Sequence, residues 1–173
     1  MRLIPIFLLG TTLLLGYTGF CQEFFVPVNY QFTSKEDYTK YEKDIIDATK
    51  WLLSTPLKEQ QEKRAEVSAF VVKWINGSPT VNVEINPAIM DFEKKNPGML
   101  ILYMAASAKY VLENNYSKDM RAKHRAALRD LIIVYKAGNG IQKDKKMEKL
   151  IKSNEEGKIE EWLADNLKIQ ERQ

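Results

Sequence analysis

The sequence predicts an all-α protein, a single compact bundle of five or six helices with one short β element near 80–85. Three observations carry that reading. Apolar residues recur at spacings of three and four along most of the chain. Capping residues and Asn, Gly or Pro breaks punctuate those runs at helix-length intervals. Strict alternation is confined to Val81-Asn82-Val83-Glu84-Ile85. At 173 residues, 45% hydrophobic and 28% charged, the chain belongs with ordinary folded proteins rather than disordered, fibrous or multi-span ones.

Residues 1–21 read as a secretory signal peptide. Arg2 supplies a minimal charged start and Leu3 to Leu15 an apolar stretch. Cleavage after Cys21 would place Gly19 and Cys21 at the two positions that require small residues. Two alternatives keep the chain on a membrane: an uncleaved anchor, or acylation of Cys21. Gln22 and Glu23 interrupt the first, since a span needs about 20 apolar residues. Phe20 stands against the second, where a small residue is required. The expected location is therefore outside the cytoplasm, periplasmic or secreted. Loss of Cys21 with the signal leaves no cysteine, which excludes disulfides, thiol catalysis and Cys-based metal sites from the mature chain.

Residues 22–33 form an extended lead-in, rich in aromatics but without period, and 34–169 the single helical domain. Ser34 with Asp37 resembles a capping box, after which Tyr38, Tyr41, Ile45, Ala48 and Leu52 define a buried face. Thr55-Pro56 reads as the cap and first residue of the next helix, with Val67, Phe70, Val71 and Trp74 inward and Asn76-Gly77 as its stop. For Val81 to Ile85 the sequence leaves two options, an isolated β element or a hairpin with Phe70 to Ile75. A helical turn follows from Pro87 to Phe92. Asn96-Pro97 opens the most apolar helix, in which only Ser107 and Lys109 are polar between Gly98 and Leu112. A helix apolar nearly all round belongs at the centre of a bundle. Asn114-Asn115 closes it, and Ser117 caps a helix reaching Lys136. Gly138-Asn139-Gly140 breaks the chain before a helix from Ile141 to Lys152. Ser153 with Glu156 reads as a further capping box before the last helix, and residues 170–173 fray.

Catalytic patterns are sparse, and the expectation is a chain that is not an enzyme, with no cofactor and no metal site. His124, the only histidine, lacks ligand spacing and falls with Met120, Ala127, Leu128 and Leu131 on an inward face. Gly138-Asn139-Gly140 before a Lys-rich helix has the makings of a phosphate cradle, but a helix end and turn account for it equally. Carboxylate pairs such as Asp44/Asp47 sit on polar faces or near helix starts. Lys109 reads as a boundary residue, its stem packed and its ammonium in water.

The least random feature is the placement of charge. The net charge is only +3, yet residues 118–152 hold 11 basic and 4 acidic groups, a local +7. Residues 22–117 (11 basic, 13 acidic) and 153–173 (3 basic, 6 acidic) are both net negative. Within the basic block Lys118, Arg121, Arg125, Arg129 and Lys136 fall within about 80° of helical arc. Such a stripe attracts an acidic protein or an anionic envelope surface, or is a solvated face partly neutralised by the acidic last helix. Nucleic acid is not an expected partner, because no aromatic-interleaved basic motif accompanies the stripe. The leading expectation is thus macromolecule binding through this face. The alternative is a carrier holding a small apolar or anionic ligand between helices near Trp74, Tyr103 and Lys109.

Overall fold

The computed structural model describes residues 23–168. The expected signal peptide (1–21) and frayed end (170–173) lie outside the described residues. Among the described residues the chain forms eight α-helices and no strand: α1 (Lys35–Lys40), α2 (Glu42–Ser54), α3 (Gln61–Gly77), α4 (Pro87–Glu93), α5 (Met99–Glu113), α6 (Met120–Ala137), α7 (Lys145–Glu155) and α8 (Ile159–Leu167).

The helical class is as the sequence predicts; the count of five or six is not. The expected first helix is two, because Tyr41 leaves helical geometry (φ −99°, ψ 6°) between α1 and α2. The turn expected after Asn86 is a full short helix. Asn86 Oδ1 accepts the Ala88 N–H at 2.9 Å and Pro87 occupies the first helical position.

The expected β element near 80–85 is absent from the described residues. Alternation predicts a strand only if a neighbour supplies the ladder, and Phe70 to Ile75 lies within α3. Residues 78–86 instead form an irregular strap. Ser78 Oγ accepts the Val81 N–H at 3.1 Å, Val81 is buried, and Asn86 Nδ2 donates to Leu167 O at 3.2 Å.

Three helix starts differ from expectation for tertiary reasons. Thr55-Pro56 does not open α3, which begins at Gln61 after a turn closed by Glu59 N–H to Pro56 O. The Arg64 guanidinium reaches back to the carbonyls of Leu52, Thr55 and Pro56, satisfying acceptors that the end of α2 leaves open. Ser117 does not cap α6; its Oγ accepts the Asp119 N–H, and Asp119 caps the helix by accepting from Ala122 N at 2.9 Å. Ser153 lies inside α7 rather than starting α8. There Gly157, at φ +73°, lets Lys158 N–H reach Ser153 O and Gly157 N–H reach Asn154 O, the paired bonds of a Schellman end. The Ser34–Asp37 capping box, by contrast, forms reciprocally.

Buried side chains make one contiguous cluster. α5 runs through its middle and packs against α2, α3, α4 and α6. Its N-terminus is closed by the Glu93 carboxylate, which accepts from Gly98 N and Leu100 N at 2.9 Å each. Buried Asn96 exchanges two hydrogen bonds with the Gln142 backbone and so ties the start of α5 to the α6–α7 connection. The lead-in carries no helix, turns at Val28-Asn29 and packs Phe24, Tyr30 and Phe32 against Phe70.

Candidate functional site

α6 carries the basic stripe because its two sides do different work. Ala127, Leu128, Leu131 and Ile132 fill the core, and polar positions are left outward. Arg129, Lys136 and Lys118 are exposed, Lys118 just ahead of the helix, while Arg121 and Arg125 are half-buried.

The structure brings acidic residues of α7 and α8 to three of the five. Glu160, in the first turn of α8, takes Arg125 Nη1 on one carboxylate oxygen and stands 3.9 Å from Arg121 Nη1 with the other. Glu155 at the end of α7 pairs with Lys136. α8 is held there by Ile159, Leu163 and Leu167, all buried. Among the described residues Arg129 and Lys118 make no ion pair. Three of the five stripe cations thus already face carboxylates of this chain.

The three residues of the alternative ligand site have separate partners. Trp74 is fully buried and its Nε1 donates to Tyr38 O at 2.9 Å. The Tyr103 hydroxyl meets His124 Nδ1. Lys109 Nζ stands 3.4 Å from both Glu113 and Asp130, so its ammonium joins two carboxylates rather than water alone. No partner is common to the three.

Sequence reasoning missed the polar cluster beneath the strap. Lys123 is buried, donates to Asn82 O at 2.9 Å and pairs with Glu84, fastening 78–86 across α6. Its helical spacing carried the signal, since Lys123, Ala127, Leu131 and Val134 follow at four, four and three. Next to it His124, only 2% exposed, lies edge to edge with Tyr103, their ring planes 13° apart. Burial, then the Lys123 charge, lower the imidazole pKa to about 4, with Glu84 opposing, so the ring is neutral at pH 7. Burial likewise pushes the Tyr103 phenol well above its ordinary value. A neutral pair of this kind satisfies two polar groups in an apolar interior.

Gly138-Asn139-Gly140 is a turn. The helix start after it is already occupied, because Asp144 accepts from Lys146 N at 2.6 Å and Met147 N at 3.1 Å. A carboxylate stands where a phosphate would need to bind. Among the described residues no three His, Cys, Asp or Glu side chains are grouped to hold a metal ion.

Compared with protein-family models, curated proteins and solved structures, the chain matches none of them.

Proposed function

We propose that this chain is an exported, non-enzymatic docking module that binds an acidic protein through the outward face of α6. The observation that carries the reading is the double engagement of Glu160 by Arg121 and Arg125, beside Arg129 on the same face. Two guanidiniums flank one carboxylate, Arg125 hydrogen-bonded to it and Arg121 at 3.9 Å, and offer several donors that a lysine pair would not reproduce. The adjoining positions Arg129 and Lys118 extend that receptor along the helix, and the +7 block speeds encounter with a negative partner. Export rests on residues 1–21 as sequence.

The test uses a Glu-rich helical peptide immobilised as the acidic probe. The wild-type chain is captured at low salt. Replacing Arg121, Arg125 and Arg129 together by Glu abolishes capture while the helical circular-dichroism signal is unchanged. Capture that survives the triple reversal, or its absence with the wild type, overturns the reading.

A further inference from the structure

α6 keeps a second lane outside the core, beside Arg121 and Arg125. Ala122, Ala126, Arg129, Ile133 and Lys136 follow one another at spacings of four, three, four and three. On a helix they occupy about 80° of arc, so they form one continuous seam. None of the five belongs to the core cluster: Ala122 and Ala126 are half-buried, and Arg129, Ile133 and Lys136 are exposed. Ile133 is 65% exposed, more than any other large apolar side chain that a helix carries among the described residues. One exposed isoleucine needs no explanation by itself; the seam around it supplies one.

Two kinds of position alternate along the seam. Ala126 and Ile133, seven apart, are apolar, and Arg129 and Lys136, also seven apart, are cationic. Small side chains at 122 and 126 let another helix axis come close, and Ile133 stands one turn and more beyond them as a knob. A seven-residue repeat matches a helix crossing at a shallow angle, not an extended strand, whose side chains repeat every two residues.

Charge decides which helix. Arg129 makes no ion pair among the described residues, and Lys136 draws only Glu155. At the far edge Asp130 faces Lys109 at 3.4 Å, which neutralises the nearest negative charge. The seam itself holds cations and no carboxylate, so a second α6 laid along it meets like charges. A helix with carboxylates at the matching positions neutralises them instead.

We propose that the acidic partner of α6 docks as an amphipathic helix, its apolar residues repeating every seven positions to cover Ala126 and Ile133 while its carboxylates reach Arg129 and Lys136. This rests on α6 as the docking face and adds the chemistry of the partner. The apolar contact supplies the share of affinity that salt does not screen.

The experiment titrates the full chain with three helical peptides of equal length and equal glutamate content. In the first, leucines every seven residues lie between glutamates on one face. In the second the same leucines are moved to the opposite face, and in the third glutamine replaces them. The first is expected to bind about tenfold more tightly than the other two and to keep that advantage at high salt. Ile133→Gln removes the advantage and Ile133→Leu keeps it, with the helical circular-dichroism signal unchanged in both. Equal binding of the three peptides, or an advantage that survives Ile133→Gln, overturns the proposal and leaves α6 a purely electrostatic docking face. If none of the three binds, the docking reading itself falls and this proposal with it. Self-association of the free chain that Ile133→Gln abolishes assigns the seam to a second copy and overturns the proposal equally.

Discussion

Tyr103 and His124 join α5 to α6 through a hydrogen bond between the phenol and Nδ1, both side chains being buried. A neutral imidazole keeps one donor and one acceptor nitrogen, and in the tautomer protonated at Nε2 the phenol donates to Nδ1.

The first prediction is an acid dependence. The folded chain holds the His124 pKa at about 4, against about 6.5 when unfolded. Its contribution is intact above pH 6.5 and is lost as pH falls from there toward 4, because the unfolded chain takes up the proton first. With some solvent screening allowed for, the loss is roughly 2 kcal/mol. Urea unfolding at pH 7.5 and pH 4.5 checks this. His124→Gln, which still offers Tyr103 an acceptor, loses less stability over that interval than the wild type.

Tyr103→Phe removes the hydroxyl and leaves His124 Nδ1 buried without this partner. The expected cost is about 1–3 kcal/mol at pH 7, read from the same urea midpoints with an unchanged m-value.

Under the strap, the Lys123–Glu84 pair predicts an asymmetry. Glu84→Ala strands a buried ammonium and costs about 3 kcal/mol, whereas Lys123→Met leaves a carboxylate already near solvent and costs about 1 kcal/mol or less. Limited proteolysis locates the effect: cleavage within 78–86 accelerates in Glu84→Ala.

Arg64 holds three backbone carbonyls at the end of α2. Arg64→Met is expected to cost about 2 kcal/mol. Arg64→Lys recovers only part of that, since its shorter side chain does not carry a nitrogen to the place of Nη2, which makes all three bonds. Thermal unfolding of the two variants, compared by Tm, decides it.

These predictions fall largely on residues whose roles are tertiary, which marks where the sequence stopped being legible. The helical class, the central place of α5, the inward His124 and the Ser34–Asp37 box follow from periodicity and local capping, both encoded within a few residues. The start of α3 does not, because Arg64 reshapes the connection from eight to twelve residues downstream. The alternating Val81 to Ile85 segment is locally strand-like, and only the lack of a pairing partner and the Lys123 clasp make it a strap. On α6, the basic stripe was visible in spacing alone. That Glu160 would stand between Arg121 and Arg125 required knowing how α8 lies on α6. Ser153 misled because Ser and Glu three apart suit a helix start, whereas Gly157 marked the end of α7.

Under the proposed docking mode, Glu160 competes from within the chain for the arginines that an acidic partner would engage. The most direct measurement is a titration of the Glu-rich helical peptide into wild type, Arg129→Glu and Glu160→Gln at two salt concentrations. Arg129→Glu is predicted to weaken binding, and Glu160→Gln to tighten it, each by roughly threefold to fivefold at low salt, with both differences shrinking as salt rises. An affinity that responds to neither substitution, or that is indifferent to salt, contradicts the assignment of α6 as the binding face.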